Sequence, residues 1–154
     1  MYTGLIHLHN FLRWVILLLL IVAVIRHFAG MTGKKPFTNG DRKTGTFLMI
    51  AANIQFVLGL VQWFIGDWGY QILKNSAGMG EVMKNAAMRF WVIEHPIGML
   101  IGVALISIGR GAAKKNIPDA SKHKKAFWLF LIALIVIIVS VPWPGRIGIE
   151  RPLF

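Results

Sequence analysis

The sequence predicts an all-α membrane protein, an antiparallel bundle of four transmembrane helices in a single domain, with both termini outside, in the periplasm. Three observations carry this reading. Four apolar runs, at 5–25, 47–65, 90–108 and 126–143, are each about 20 residues long, the length a helix needs to cross a ~30 Å hydrocarbon core. The runs lack the polar face that a soluble bundle requires: "VILLLLIVAVI" and "FLIALIVIIVSV" are apolar all round. The basic residues are also sorted. Arg26, Lys34, Lys35, Arg42 and Lys43 flank the first loop, and Arg110, Lys114, Lys115, Lys122, Lys124 and Lys125 flank the third. Positive loops stay cytoplasmic, so the other side, with Lys74, Lys84, Arg89, Asp67, Glu81 and the tail residues Arg146, Glu150 and Arg151, is external. The net charge of +11 is therefore a topology signal and excludes a nucleic-acid partner; membrane lipid is the expected contact.

The spacing predicts spans at about 5–29, 44–66, 86–109 and 124–143. The first run follows only "MYTG", with neither a basic n-region nor a small-residue cleavage site, and reads as a retained span. It should end near Gly30. Gly33, Pro36 and Asn39-Gly40 are turn residues, and Asp41 or Thr44 can cap the second helix, which runs to about Gly66. "DWGYQILKNSAGMGEVMKNAAM" is the longest connection, and its later part extends the third helix outward from Glu81. That helix ends near Gly109–Gly111. Pro118 then breaks the chain, Asp119 or Ser121 can cap the fourth helix, and "PWPG" stops it. Trp63, Trp68, Trp91 and Trp143 fall at the outer boundary, as an interfacial belt does. The chain has no cysteine, which removes disulfides, thiolate metal sites and covalent haem attachment.

Ionisable side chains at the centre of a span cost roughly 2.5–3.5 kcal/mol each and face protein or water. The candidates are His7, His9, Arg13, Glu94 and His95, with His27 and His123 at the cytoplasmic ends. At 100° per residue, His9 and Arg13 differ by about 40° and share a line with Ile16, Leu20, Ala23 and His27. His7 lies about 200° from His9, toward the headgroups. In the third helix Trp91, His95, Gly98 and Gly102 fall within about 60° of one another. Pro96 frees the Val92 carbonyl and predicts a kink. Glu94 points about 100° away from His95 and could pair with Arg13 or Arg89, or be protonated. Gln55, Gly59, Gln62 and Gly66 make a polar line on the second helix.

His9 and His95 lie at similar depth on inward faces of different helices, which suits bis-histidine haem b, with Gly98 and Gly102 as a groove beside it. Arg13 and Arg89 could meet propionates. Other readings of the same residues stand: interfacial hydrogen bonding for the histidines, helix packing for the glycines, or a bound Zn²⁺ or Cu²⁺. His27 and His123 make a second haem geometrically conceivable, although His123 within "SKHKK" reads first as solvated.

"GLIHLHNFLRW", "RFWVIEHPIGML", "SKHKKAFWLFLIAL" and "VPWPGRIGIERPLF" together resemble a family of small bacterial four-helix membrane proteins labelled b-type cytochromes or cytochrome-b-like proteins. The resemblance covers nearly the whole chain. It implies a haem-binding protein of the bacterial inner membrane, with His7, His9, His95 and His123 in motif positions and His27 outside them. The expectation is a b-type cytochrome, an electron carrier more than an enzyme with its own substrate. It would pass single electrons, for instance between a quinol and a redox partner protein. His9 and His95 are the axial ligands, His7 is the alternate, and Arg13, Arg89, Trp91, Gly98, Gly102, Gln55 and Gln62 surround the haem. Homo-oligomers are compatible with this. The alternatives are a metal- or proton-handling protein with a Glu94–His95–His9–Arg13 relay, and a non-catalytic membrane subunit or assembly factor.

Overall fold

A computed structural model describes residues 2–146 and 148–149. Glu150 and Arg151, and with them the end of "VPWPGRIGIERPLF", lie outside the described residues. The described chain is helical: α1 (Tyr2–Thr32), α2 (Asn39–Ile65), the short α3 (Tyr70–Asn75) and α4 (Met79–Lys84), α5 (Ala86–Arg89), a π-helical turn (Phe90–Glu94), α6 (His95–Gly111), a 3-10 turn (Ala112–Lys114) and α7 (Asp119–Ser140). Four helical stretches are long and apolar enough to cross a membrane: Tyr2–Thr32, Asn39–Asn75, Ala86–Lys114 and Asp119–Ser140. They close into a ring in which α1 touches α2 and α7, and α6 touches α2 and α7. Chain neighbours are antiparallel, so one end of the bundle gathers the start of α1, the end of α2, the π turn and the end of α7. The other end gathers the two basic loops.

The helix ends show where local sequence acted differently from its reading. α1 runs through Gly30 to Thr32, because Gly30 packs against the His123 ring, where a Cβ would collide. The stop comes from a Schellman-type closure: the Lys35 N–H reaches the Gly30 carbonyl at 3.0 Å, with Lys34 in the left-handed region at φ 47°. α2 is capped by Thr38, not by Asp41 or Thr44. The Thr38 Oγ1 accepts from the Asp41 N–H at 3.3 Å, and Asp41 Oδ2 accepts from the Thr38 N–H at 2.8 Å. Arg26 completes this corner with bonds of 3.0 and 2.9 Å to Asp41 Oδ1. α4 does not continue into the third span. Asn85 interrupts it and caps α5, accepting from the Ala87 and Met88 N–H groups at 3.0 and 3.1 Å. α7 starts at Asp119, directly after Pro118, and neither Asp119 nor Ser121 caps it; the Asp119 carboxylate accepts from the Phe37 N–H at 2.9 Å.

The last carbonyls of α7 have no partner within the helix and each need a donor. The Ile137 carbonyl takes the Val141 N–H at 3.0 Å. Pro142 and Pro144 stand four residues after Ile138 and Ser140 and have no N–H to give. Side chains supply them instead: Trp143 Nε1 to Ile138 at 2.7 Å, Arg146 Nη1 to Val139 at 2.8 Å, and His95 Nδ1 to Ser140 at 2.8 Å.

The core runs down the predicted line of α1, where Arg13, Ile16, Leu20, Ala23 and His27 are buried, against Ile106 of α6 and Phe130, Ala133 and Ile137 of α7. α6 and α7 approach closely through glycine: Gly98 faces Ser140, Gly102 faces Ile137, and a Cβ on Gly109 would stand 2.7 Å from Phe130 Cε1. Phe130 is itself buried and cannot yield. Gly109→Ala should therefore destabilise the protein by about 1–3 kcal/mol in thermal unfolding in detergent. Gly111→Ala, where a Cβ meets nothing within 4 Å, should be neutral or slightly stabilising.

Candidate functional site

A cavity of about 300 Å³ lies at the end of the bundle that holds the start of α1. That is the lower part of the usual range for small-molecule sites. α1 contributes His7, His9, Asn10 and Arg13; α2 contributes Gln55, Gly59, Gln62 and Trp63; the π turn and α6 contribute Trp91, His95, Pro96 and Met99; the end of α7 closes it with Ile137, Val141 and Pro142. The cavity explains an asymmetry in the bundle. Only 11% of the most apolar stretch of α2 is buried, against 28% in each of the other three spans. α2 stands off from the core where the cavity intervenes.

The π turn sets the α6 wall. Pro96 cannot donate to the Val92 carbonyl, so the helix widens and the His95 N–H bonds the Phe90 carbonyl five residues back. The predicted kink is thus a π turn. Trp91 and His95 remain on one side of it, their rings 5.9 Å apart. A carbonyl oxygen only accepts, so the His95–Ser140 bond fixes the imidazole proton on Nδ1. Nε2 is left with its lone pair, held by a ring that the end of α7 orients. Metal-ligating and proton-accepting histidines share this arrangement.

His9 faces the same cavity from α1. Its ring lies over Gly59, where a Cβ would come within 3.2 Å of Cε1. Its Nδ1 is buried and has no hydrogen-bond partner among the described residues, and the same holds for Gln55 Oε1 and Trp63 Nε1. Buried polar atoms of this kind call for an occupant that bonds them. Gln55 and Gln62 line the cavity and also join helices: Gln55 Nε2 donates to the His9 carbonyl at 2.8 Å and Gln62 Nε2 to the Leu5 carbonyl at 2.9 Å. Arg13 is 8% exposed and borders the cavity, with its guanidinium 5.5 Å from the Trp14 ring centre. His7 is exposed and reaches the mouth.

Several predicted members fall elsewhere. Arg89 does not border the cavity: its Nε meets Glu94 Oε1 at 2.6 Å and its Nη1 the Met83 carbonyl at 3.0 Å, both outside. That pairing also removes Glu94 from any relay with His95, His9 and Arg13. Gly98 and Gly102 face α7, so their missing side chains admit a helix and not a cofactor. No cluster of three metal-ligating side chains occurs among the described residues. Asn10, Met99 and the Ser140 carbonyl were not anticipated. Asn10 could have been noted as the polar residue between His9 and Arg13, and the Ser140 carbonyl from the proline four residues on.

His27 and His123 meet at the opposite end. Each is 2% exposed, and their Nδ1 atoms are 2.9 Å apart. Phe37 stacks on His27 at 5.6 Å and Phe130 lies at 5.5 Å. His123 is therefore buried and not solvated; it shares a face of α7 with Ala126, Phe127 and Phe130. The two rings are bonded directly to each other. The adjoining void, about 10 Å³, is the size of one water.

The chain matches no family model, no curated protein and no solved structure.

His27→Phe strands the His123 Nδ1 in the core. It should lower stability by about 1–3 kcal/mol, read by thermal unfolding, because an unsatisfied buried donor or acceptor bears its full desolvation penalty.

Proposed function

We propose that the protein is a haem b-binding multi-pass membrane protein, with His9 and His95 as axial ligands, that carries single electrons. The observation that supports this most is the His95 imidazole. Its Nδ1–H is committed to the Ser140 carbonyl at 2.8 Å, and its Nε2 is left as a ligand atom in a cavity shared with His9. The unpartnered His9 Nδ1 and the bare Gly59 backbone beneath that ring fit a second ligand that needs space to turn. Haem, when bound, supplies one-electron chemistry at a potential set by its ligands and surroundings. The residues of the chain have other tasks. His95 is oriented by α7, Arg13 offers positive charge to an acidic substituent, Trp91 and Met99 exclude water, and His7 stands at the mouth as the alternate ligand. The likeness to cytochrome-b-like proteins in "GLIHLHNFLRW" and "RFWVIEHPIGML" points the same way.

The topology is part of the proposal. The loop end carries Arg26, Lys34, Lys35, Arg42, Lys43 and the Arg110–Lys125 group, so it should face the cytoplasm of a bacterial inner membrane, leaving the cavity end and both termini outside. A quinol or a redox protein would then exchange electrons at the outer face.

Protein purified after expression with ample haem should show a Soret band and a low-spin reduced spectrum. His95→Ala and His9→Ala should each abolish the low-spin form while helix content by circular dichroism stays unchanged. His7→Ala should keep it. A colourless preparation that takes up no haem on titration would end this proposal. Single cysteines introduced at Ser76 and Lys115 should report the topology: a membrane-impermeant thiol reagent added to intact cells should label the first and not the second.

A further inference from the structure

The side of α2 that faces away from the bundle carries a polar group that the cavity does not use. Asn53 is exposed and lies near the midpoint of α2, well inside the span. A side-chain amide has two N–H donors and an acceptor oxygen. One Nδ2–H is bonded to the Met49 carbonyl at 2.8 Å. No other hydrogen bond of this amide occurs among the described residues, and hydrocarbon offers none.

What remains is one donor and one acceptor, a set complementary to itself. Two copies related by a two-fold axis satisfy both, each Nδ2–H meeting the other's Oδ1, partial positive against partial negative charge. The surrounding residues suit the same contact. Ile50, Asn53, Val57, Leu60 and Phe64 recur at alternating steps of three and four, the spacing of the seam between two helices that cross at a shallow left-handed angle. The four apolar members are 47%, 58%, 38% and 56% exposed; Leu60, the least exposed, stands at the edge of the seam and also borders the cavity. The seam extends about 21 Å along the helix, some two thirds of a ~30 Å core. A single asparagine within such a seam fixes register and the number of helices that meet there.

We infer that the protein is a parallel homodimer in the membrane, joined along α2 by a reciprocal Asn53–Asn53 pair on the two-fold axis. This rests on the outward side of α2 and on membrane residence, and it holds whether or not the cavity binds haem.

The chain has no cysteine, so one introduced thiol reports without background. In oxidised native membranes, Val57→Cys should cross-link to a homodimer. Ile135→Cys, on the exposed side of α7 away from the seam, should not. Adding Asn53→Leu should suppress the Val57→Cys product, and in a bilayer dilution series read by energy transfer it should weaken self-association about tenfold, as loss of interhelical hydrogen bonds in lipid does. Asn53→Gln, which keeps the amide, should retain part of it. Asn53→Leu makes the span more apolar and should still insert; if it does not, the Val57 and Ile135 comparison decides alone. Equal cross-linking at both positions, undiminished association of Asn53→Leu, or cross-linking of Val57→Cys only to a different polypeptide would each overturn the inference.

Discussion

Helix α7 ends at two prolines that cannot donate to its last carbonyls, and much of the cavity end follows from how those carbonyls find partners. Two of its last carbonyls face prolines that have no N–H. These carbonyls need other donors, and the chain brings in the Trp143 indole and the His95 imidazole as substitutes, with Arg146 on the carbonyl between them. The consequence for His95 is chemical as well as structural. A neutral imidazole that caps a helix with one nitrogen presents the other, unprotonated, to whatever lies on its far side. Here that is the cavity. The motif "PWPG" therefore does more than stop a helix, since it determines the tautomer of a residue some 45 positions earlier in the chain.

The opposite wall shows the same economy. α2 is the span least supported by side-chain packing, and two glutamines tie it to α1 through backbone carbonyls at Leu5 and His9. Such bonds fix the separation of two helices without filling the space between them. A pair of leucines at these positions would draw the helices together by packing and close the cavity. The polar line on α2 is thus a spacer, with the glycine at 59 leaving room for the His9 ring.

Much of this could be read from residue spacing. The length of the apolar runs gave four spans, and the 100° rule put Arg13, Ile16, Leu20, Ala23 and His27 on the buried line of α1, where the structure has them. Spacing identifies a face but not the neighbour it meets, and the misreadings share that origin. Spacing puts Gly98 and Gly102 on one side of α6, yet that side faces α7, which only the packing order of the helices decides. The lysine neighbours of His123 suggest a solvated ring, whereas the residues three, four and seven positions on carry the information. The charge of Arg89 suggests the cavity, whereas an acid five residues away and a carbonyl six residues back are nearer. The helix ends were misjudged by a few residues because capping depends on which hydroxyl or carboxylate wins locally, and Thr38 with Asp41 is a pair that a search for single caps overlooks.

The π turn at Phe90–Glu94 can also be viewed as bookkeeping of residue number. A π turn holds one residue more than the α-helix it interrupts, so everything before it is rotated by about 100° relative to everything after it. Deleting one residue from this segment would force an α-helical register on it without touching any side chain of α6, with Pro96 still leaving one carbonyl without a donor. His95 would keep its bond to α7, while Trp91, Arg89 and the short helices before them would swing around the axis, taking the indole out of the cavity. The length of this segment, independent of its composition, is therefore a constraint on the protein, and chains that share the histidine and proline but differ by one residue here would build a different wall.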